Sequence, residues 1–121
     1  MDIDFEKKYS LPELLTYPTI SVSEINNFRE NLDTFFQEKG LVFQPTYTLE
    51  NMNQALSFTK KNFGIGVLPY AYAKDDINNG TLKIVKTSSI PKRTVYLASQ
   101  KGKVISNIVL ELYNEFKFLV I

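Results

Sequence analysis

Few side chains in this sequence are equipped for chemistry, and the missing types exclude more than the present ones offer. There is no His and no Cys. Without an imidazole the commonest general base and the Ser-His triad are gone. Without a thiol there is no disulfide, thiolate zinc site, thiol nucleophile or iron–sulfur ligand. A conventional hydrolase or metalloenzyme is not expected, and neither a metal nor a cofactor is. The close acidic pairs are Asp75-Asp76, beside Lys74, and Glu111/Glu115, spaced i, i+4. Carboxylates that divide acid and base roles must converge across a cleft with separated pKa values, and both pairs read as solvated surface instead. Phe63-Gly-Ile-Gly-Val-Leu-Pro69 lacks the third glycine of a dinucleotide loop and the Gly-Lys-Ser/Thr of a phosphate loop. Its glycines read as points where a strand passes close to neighbouring backbone. The seven tyrosines read as packing groups at sheet rims.

What remains is Ile20-Ser-Val-Ser-Glu-Ile-Asn-Asn27, which joins the end of an apolar strand to the start of a helix. Open α/β sheets bind ligands at such junctions, because unpaired N–H groups and the positive end of the helix dipole attract anions. Ser21, Ser23, Asn26 and Asn27 add short polar groups there. Two readings stand side by side: a ligand shelf, or Asn27 serving as a helix cap.

The elements that would position this segment follow from periodicity. Ser10-Leu-Pro-Glu-Leu-Leu15 predicts a short helical turn capped by Ser10, with Pro12 early in it. Pro18–Ser23 predicts a strand. Phe28, Leu32, Phe35 and Phe36 share one helical face, Asn27 with Glu30 resembles a capping box, and Gly40 ends the helix, so a helix is expected over 26–39. A strand over Phe43–Thr48 and a helix over 51–62 capped by Asn51 follow. Next come a strand at 63–69, a short helix opened by Pro69 and a turn at Asn79-Gly80. Leu82–Val85 and Arg93–Ser99 predict two more strands. A last helix over 105–119 carries Ile105, Ile108, Val109, Leu112, Phe116, Leu119 and Val120 on one stripe. This alternation predicts an α/β fold, a mixed sheet of about five strands flanked by helices.

Length and charge fit one domain. At 121 residues and 44% apolar composition the chain buries enough surface for a core. No window reaches the roughly 18 apolar residues of a membrane span, and no signal-peptide pattern opens the chain, so the cytoplasm is the expected compartment. The formal net charge is +1, yet residues 1–60 hold nine acids and five bases while residues 61–121 hold four and nine. Lys83, Lys86, Lys92, Arg93, Lys101 and Lys103 read as a solvated face, with an anionic partner or an acidic surface of the same protein as the alternative.

The run Leu11-Pro-Glu-Leu-Leu-Thr-Tyr-Pro-Thr-Ile20, followed by Asn27, Arg29 and Asp33, resembles the effector-binding domain of LysR-type transcriptional regulators. The likeness continues through Thr46-Tyr47-Thr48, Asn62-Phe-Gly-Ile-Gly-Val-Leu-Pro69, Asn79-Gly80-Thr81-Leu82 and Tyr96–Ser106, covering about residues 9–118. Asn62 stands where the family usually has glycine. The resemblance takes in only the second lobe (about 9–100) and a return segment with the C-terminal helix (101–121). The winged helix-turn-helix and the first lobe have no counterpart in it. It implies one lobe of a type 2 periplasmic-binding-protein-like fold and a small, often anionic effector in an interlobe cleft. DNA would be reached only through an N-terminal domain outside this chain. One cleft wall would be the helix start at Asn26–Phe28 with Ser23 before it, and Ser21 and Ile65 complete the candidate effector-binding set. A homodimer is expected through the apolar stripe of the last helix, which the missing lobe would otherwise cover. The alternatives are a lobe of a solute-binding protein and a small α/β enzyme using Tyr, Lys and Asp.

Overall fold

The computed structural model describes residues 1–23 and 27–99. The expected last helix with its stripe, Glu111/Glu115, Tyr113, Lys101, Lys103 and Asn26 lie outside the described residues.

After an N-terminal segment, the described chain runs α1 (Leu11–Leu14), β1 (Thr19–Val22), α2 (Phe28–Glu38), β2 (Tyr47–Leu49), α3 (Met52–Lys60), β3 (Ile65–Pro69), α4 (Tyr70–Asn78), β4 (Leu82–Ile84) and β5 (Thr94–Ser99). The strands form one mixed sheet in the order β2-β1-β3-β5-β4. β1 pairs in parallel with β2 and β3, whereas β5 runs antiparallel to both β3 and β4. The expected five-stranded mixed α/β sheet is what the chain forms.

The central strands β1, β3 and β5 are buried along their whole length, because both sheet faces are covered, and such strands read as nearly continuous apolar runs. Alternate side chains feed two cores. Ile65, Val67, Tyr96 and Ala98 meet Leu32 and Phe36 of α2, Leu11 and Leu14 of α1, and Ile3, Phe5 and Tyr9 of the N-terminal segment. Ile20, Val22, Leu68, Val95 and Leu97 meet Ala55 and Leu56 of α3 and Ala73 of α4. The glycine pair between them is a packing device. A Cβ on Gly64 would lie 2.7 Å from the Pro18 carbonyl oxygen, and one on Gly66 would lie 2.6 Å from the Thr59 hydroxyl.

Three local expectations are corrected. The strand expected from Phe43 begins only at Tyr47. Phe43 instead stacks on Phe36 at 5.0 Å between ring centroids and is buried in the core, and Pro45 lacks the N–H a ladder would need. Asp76, expected as solvated surface, is instead a largely covered side chain of α4 that pairs with Lys60 of α3 at 2.9 Å. The capping box at Asn27 does not form, as described next.

Candidate polar shelf and aromatic groove

Because β1, β2 and β3 are parallel, their C-terminal ends share one edge of the sheet, and α2, α3 and α4 each begin there. β5, running the other way, starts at the same edge with Thr94 opposite Pro69. The parallel topology thus gathers the strand-to-helix junctions that the alternation of the sequence spaces far apart.

At the first junction the chain leaves β1 through Ser23, whose N–H donates to the Leu49 carbonyl at 2.9 Å. It enters α2 from Asn27, which is left-handed (φ 64) and makes no side-chain capping hydrogen bond. Left-handed backbone is unusual for any residue with a Cβ, although Asn tolerates it better than most. Geometry explains the missing cap: a capping residue must be extended for its side chain to turn back onto the N–H groups of the first turn. Asn27 still lends its carbonyl to the Asn31 N–H at 3.0 Å, so the helix starts normally while the exposed side chain is left unused by it. Arg29 holds this end of α2 in place. Its Nε bonds Asp33 at 2.9 Å, its Nη1 approaches the Thr48 hydroxyl at 3.5 Å, and its guanidinium lies 5.2 Å from the centroid of the Phe43 ring.

The candidate residues separate into two groups. Ser23 and Asn27 stand at the shelf, half-buried and exposed respectively. Ser21 and Ile65 have no exposed surface. The Ser21 hydroxyl donates to the Val67 carbonyl at 3.1 Å, tying β1 to β3, and Ile65 sits in the core under α1 and α2. Both support the shelf from below and offer a ligand no surface. Asn26 lies outside the described residues. The shelf residues Ser23 and Asn27 do not ionise, so an anion held there would rely on N–H donors and the helix dipole.

A second feature of this edge escaped the sequence. A groove of about 730 Å³ runs between α2, the β3–α4 junction and residues 91–94, lined among others by Phe28, Phe35, Tyr70, Tyr72, Lys92 and Arg93. The tyrosines read as rim packing and the two cations as scattered surface charge. The available signal was the fall of Tyr72 off the Ala73–Ile77 stripe of its helix, a stripe that Tyr70 shares at i−3 from Ala73.

Burial pushes the Tyr96 phenol well above the usual tyrosine range, and its hydroxyl donates to the Ser89 carbonyl at 3.3 Å. Among the described residues no group of three or more acidic side chains could hold a metal ion, and no helix is long and apolar enough to cross a membrane.

Comparison with known families gives one finding: the model of the LysR substrate binding domain matches residues 4–117. That domain has the type 2 periplasmic-binding-protein-like fold, in accord with the sheet described above. No curated protein and no solved structure matches the chain.

Proposed function

Since the chain belongs to the LysR substrate binding domain family, we propose that it is the ligand-sensing part of a LysR-type transcriptional regulator. It takes up a small effector, anionic in the simplest case, in an interlobe cleft bordered by the Ser23–Asn27 shelf. Residues of about 9–100 form the second lobe, and 101–121 form the return segment and final helix. The observation that carries the reading is Asn27: it opens α2 with a side chain that makes no capping bond, at the edge where the three parallel strands end.

An effector that touches both lobes binds the closed arrangement better than the open one. That difference in contacts is the free energy available to shift how the full-length dimer presents its DNA-binding modules. No bond is made or broken. The regulator works in the cytoplasm, and the homodimer expected through the 105–120 stripe belongs to this reading. Sedimentation at micromolar concentration tests the dimer, and a clean monomer refutes it.

The shelf is tested by titrating the chain with acetate, succinate, phosphate and sulfate while following amide chemical shifts. Movement at Ser23 and Asn27 is expected, and movement only at other sites counts against the assignment. In the full-length regulator, DNA binding should respond to effector, and Asn27→Ala should weaken that response in a folded protein.

A further inference from the structure

The aromatic groove adjoins the polar shelf at Phe28 and extends away from it along α2, and its lining speaks for a ligand of its own. Its volume of about 730 Å³ falls within the roughly 300–1,000 Å³ of small-molecule sites. Phe28 and Phe35 are half-buried along its α2 wall. Tyr70 and Tyr72 on the opposite side remain 45% and 49% exposed, so a large part of each ring is uncovered. Lys92 and Arg93 are exposed on the same lining, and neither forms an ion pair among the described residues. Glu38, at the far end of α2 from Phe28, is the one carboxylate in the lining, so the charge of the groove is net positive.

The backbone that carries the cations is also held in place. Arg93 is left-handed (φ 60), a conformation that a residue with a Cβ keeps only when its surroundings enforce it. Here the Tyr70 N–H donates to the Arg93 carbonyl at 2.7 Å, the Thr94 N–H to Pro91 at 3.3 Å and the Thr94 hydroxyl to Lys92 at 3.1 Å. The turn carrying both charges is thereby tied to the helix that supplies two of the rings.

We infer that this groove binds a small aromatic carboxylate, its ring among Phe28, Phe35, Tyr70 and Tyr72 and its carboxylate at Lys92 and Arg93. Offset or edge-on contacts with four aromatic side chains favour a planar ring, and a guanidinium favours a carboxylate by its forked geometry. The assignment does not rest on the effector reading of the shelf.

Indole-3-acetate and its neutral counterpart indole-3-acetamide serve as probes, titrated into the full chain with amide shifts as the readout. Shifts are expected at 31–38, 70–72 and 92–94, with the acid bound about fivefold more tightly than the amide. In the K92Q/R93Q double variant the amide should bind as before and the acid should fall to the amide's affinity. Lys92→Gln alone, which leaves the left-handed residue in place, should remove part of the preference. Absence of shifts at millimolar probe, equal affinity of acid and amide, or a preference that survives the double substitution overturns the assignment. So do shifts confined to Ser23 and Asn27, which would place the anion on the shelf. A groove already filled by a second copy or by residues 100–121 would admit neither probe, and that too overturns it.

Discussion

Two asparagines open helices at the same edge of the same sheet and do opposite things. Asn51, after β2, is extended (φ −117), and its side chain accepts from the Asn53 and Gln54 N–H groups at 2.7 and 3.2 Å. Asn27, after β1, is left-handed and caps nothing with its side chain. One junction spends its polar side chain on its own helix, and the other leaves it to solvent. A residue type that favours both caps and left-handed turns therefore either caps its helix or leaves its side chain exposed, and the backbone conformation decides which.

The comparison is broken most severely from beneath β1. Gly64→Ala forces a Cβ against the Pro18 carbonyl at 2.7 Å and its carbon at 3.0 Å, which are backbone atoms leading directly into β1. Overpacking of this kind costs about 2–3 kcal/mol. The urea midpoint should fall accordingly, and anion-induced shifts at Ser23 and Asn27 should be lost.

Asn51→Ala should cost about 1 kcal/mol, the ordinary value of a lost side-chain cap, measured by the same denaturation, with anion shifts at the shelf unchanged. Asn27→Ala should cost less, about 0.5 kcal/mol, because no cap is lost and only the tolerance of left-handed backbone changes. Yet it should weaken the shelf response. Asn27→Gly separates the two effects, staying within about 0.5 kcal/mol of the parent and weakening the response all the same. A shelf response undiminished in both variants would make Asn27 a mere turn residue.

The smallest effect belongs to α1, a third helix start and the most self-contained. The Ser10 hydroxyl accepts from the Glu13 N–H at 3.2 Å, and the Glu13 carboxylate accepts from the Ser10 N–H at 3.1 Å. The Lys7 ammonium at 2.6 Å, and then the Ser10 backbone and hydroxyl, hold the Glu13 carboxyl down from 4.5 to about 2. A depressed folded value means the contribution is present above about pH 4.5 and is lost as the pH falls toward 2. Glu13→Gln should flatten the acid limb of the melting curve within that window, only slightly for so exposed a pair. An unchanged limb would show that the box contributes nothing measurable.

Much of this architecture was legible along the chain. Leu32 and Phe36 are buried as the helical spacing implied, and α2 and α3 fall inside the expected 26–39 and 51–62. Ser10 and Asn51 cap as predicted because capping needs only the residues of the next turn. Phe43 was misplaced because its alternation with neighbours looked like a strand, whereas its partner is Phe36 of α2, stacked at 5.0 Å. Gly64 could be read as a close approach, but that the neighbour is Pro18 could not.

By itself the sequence determined what chemistry is missing, the alternation of strands and helices, the caps of α1 and α3, and a family resemblance spread over nearly its whole length. These are properties of residue type and short-range spacing, and they act within a few positions of themselves. Only the tertiary structure decided that Ser21 is occupied by Val67 across the sheet, that Ile65 is core, and that Asn27 turns left-handed with an exposed side chain that does not cap α2. It alone assembled the groove from α2, the start of α4 and the 91–94 turn. The physical reason is that a cavity and a refused cap depend on which distant segments a parallel sheet brings to one edge, and no local periodicity encodes that meeting.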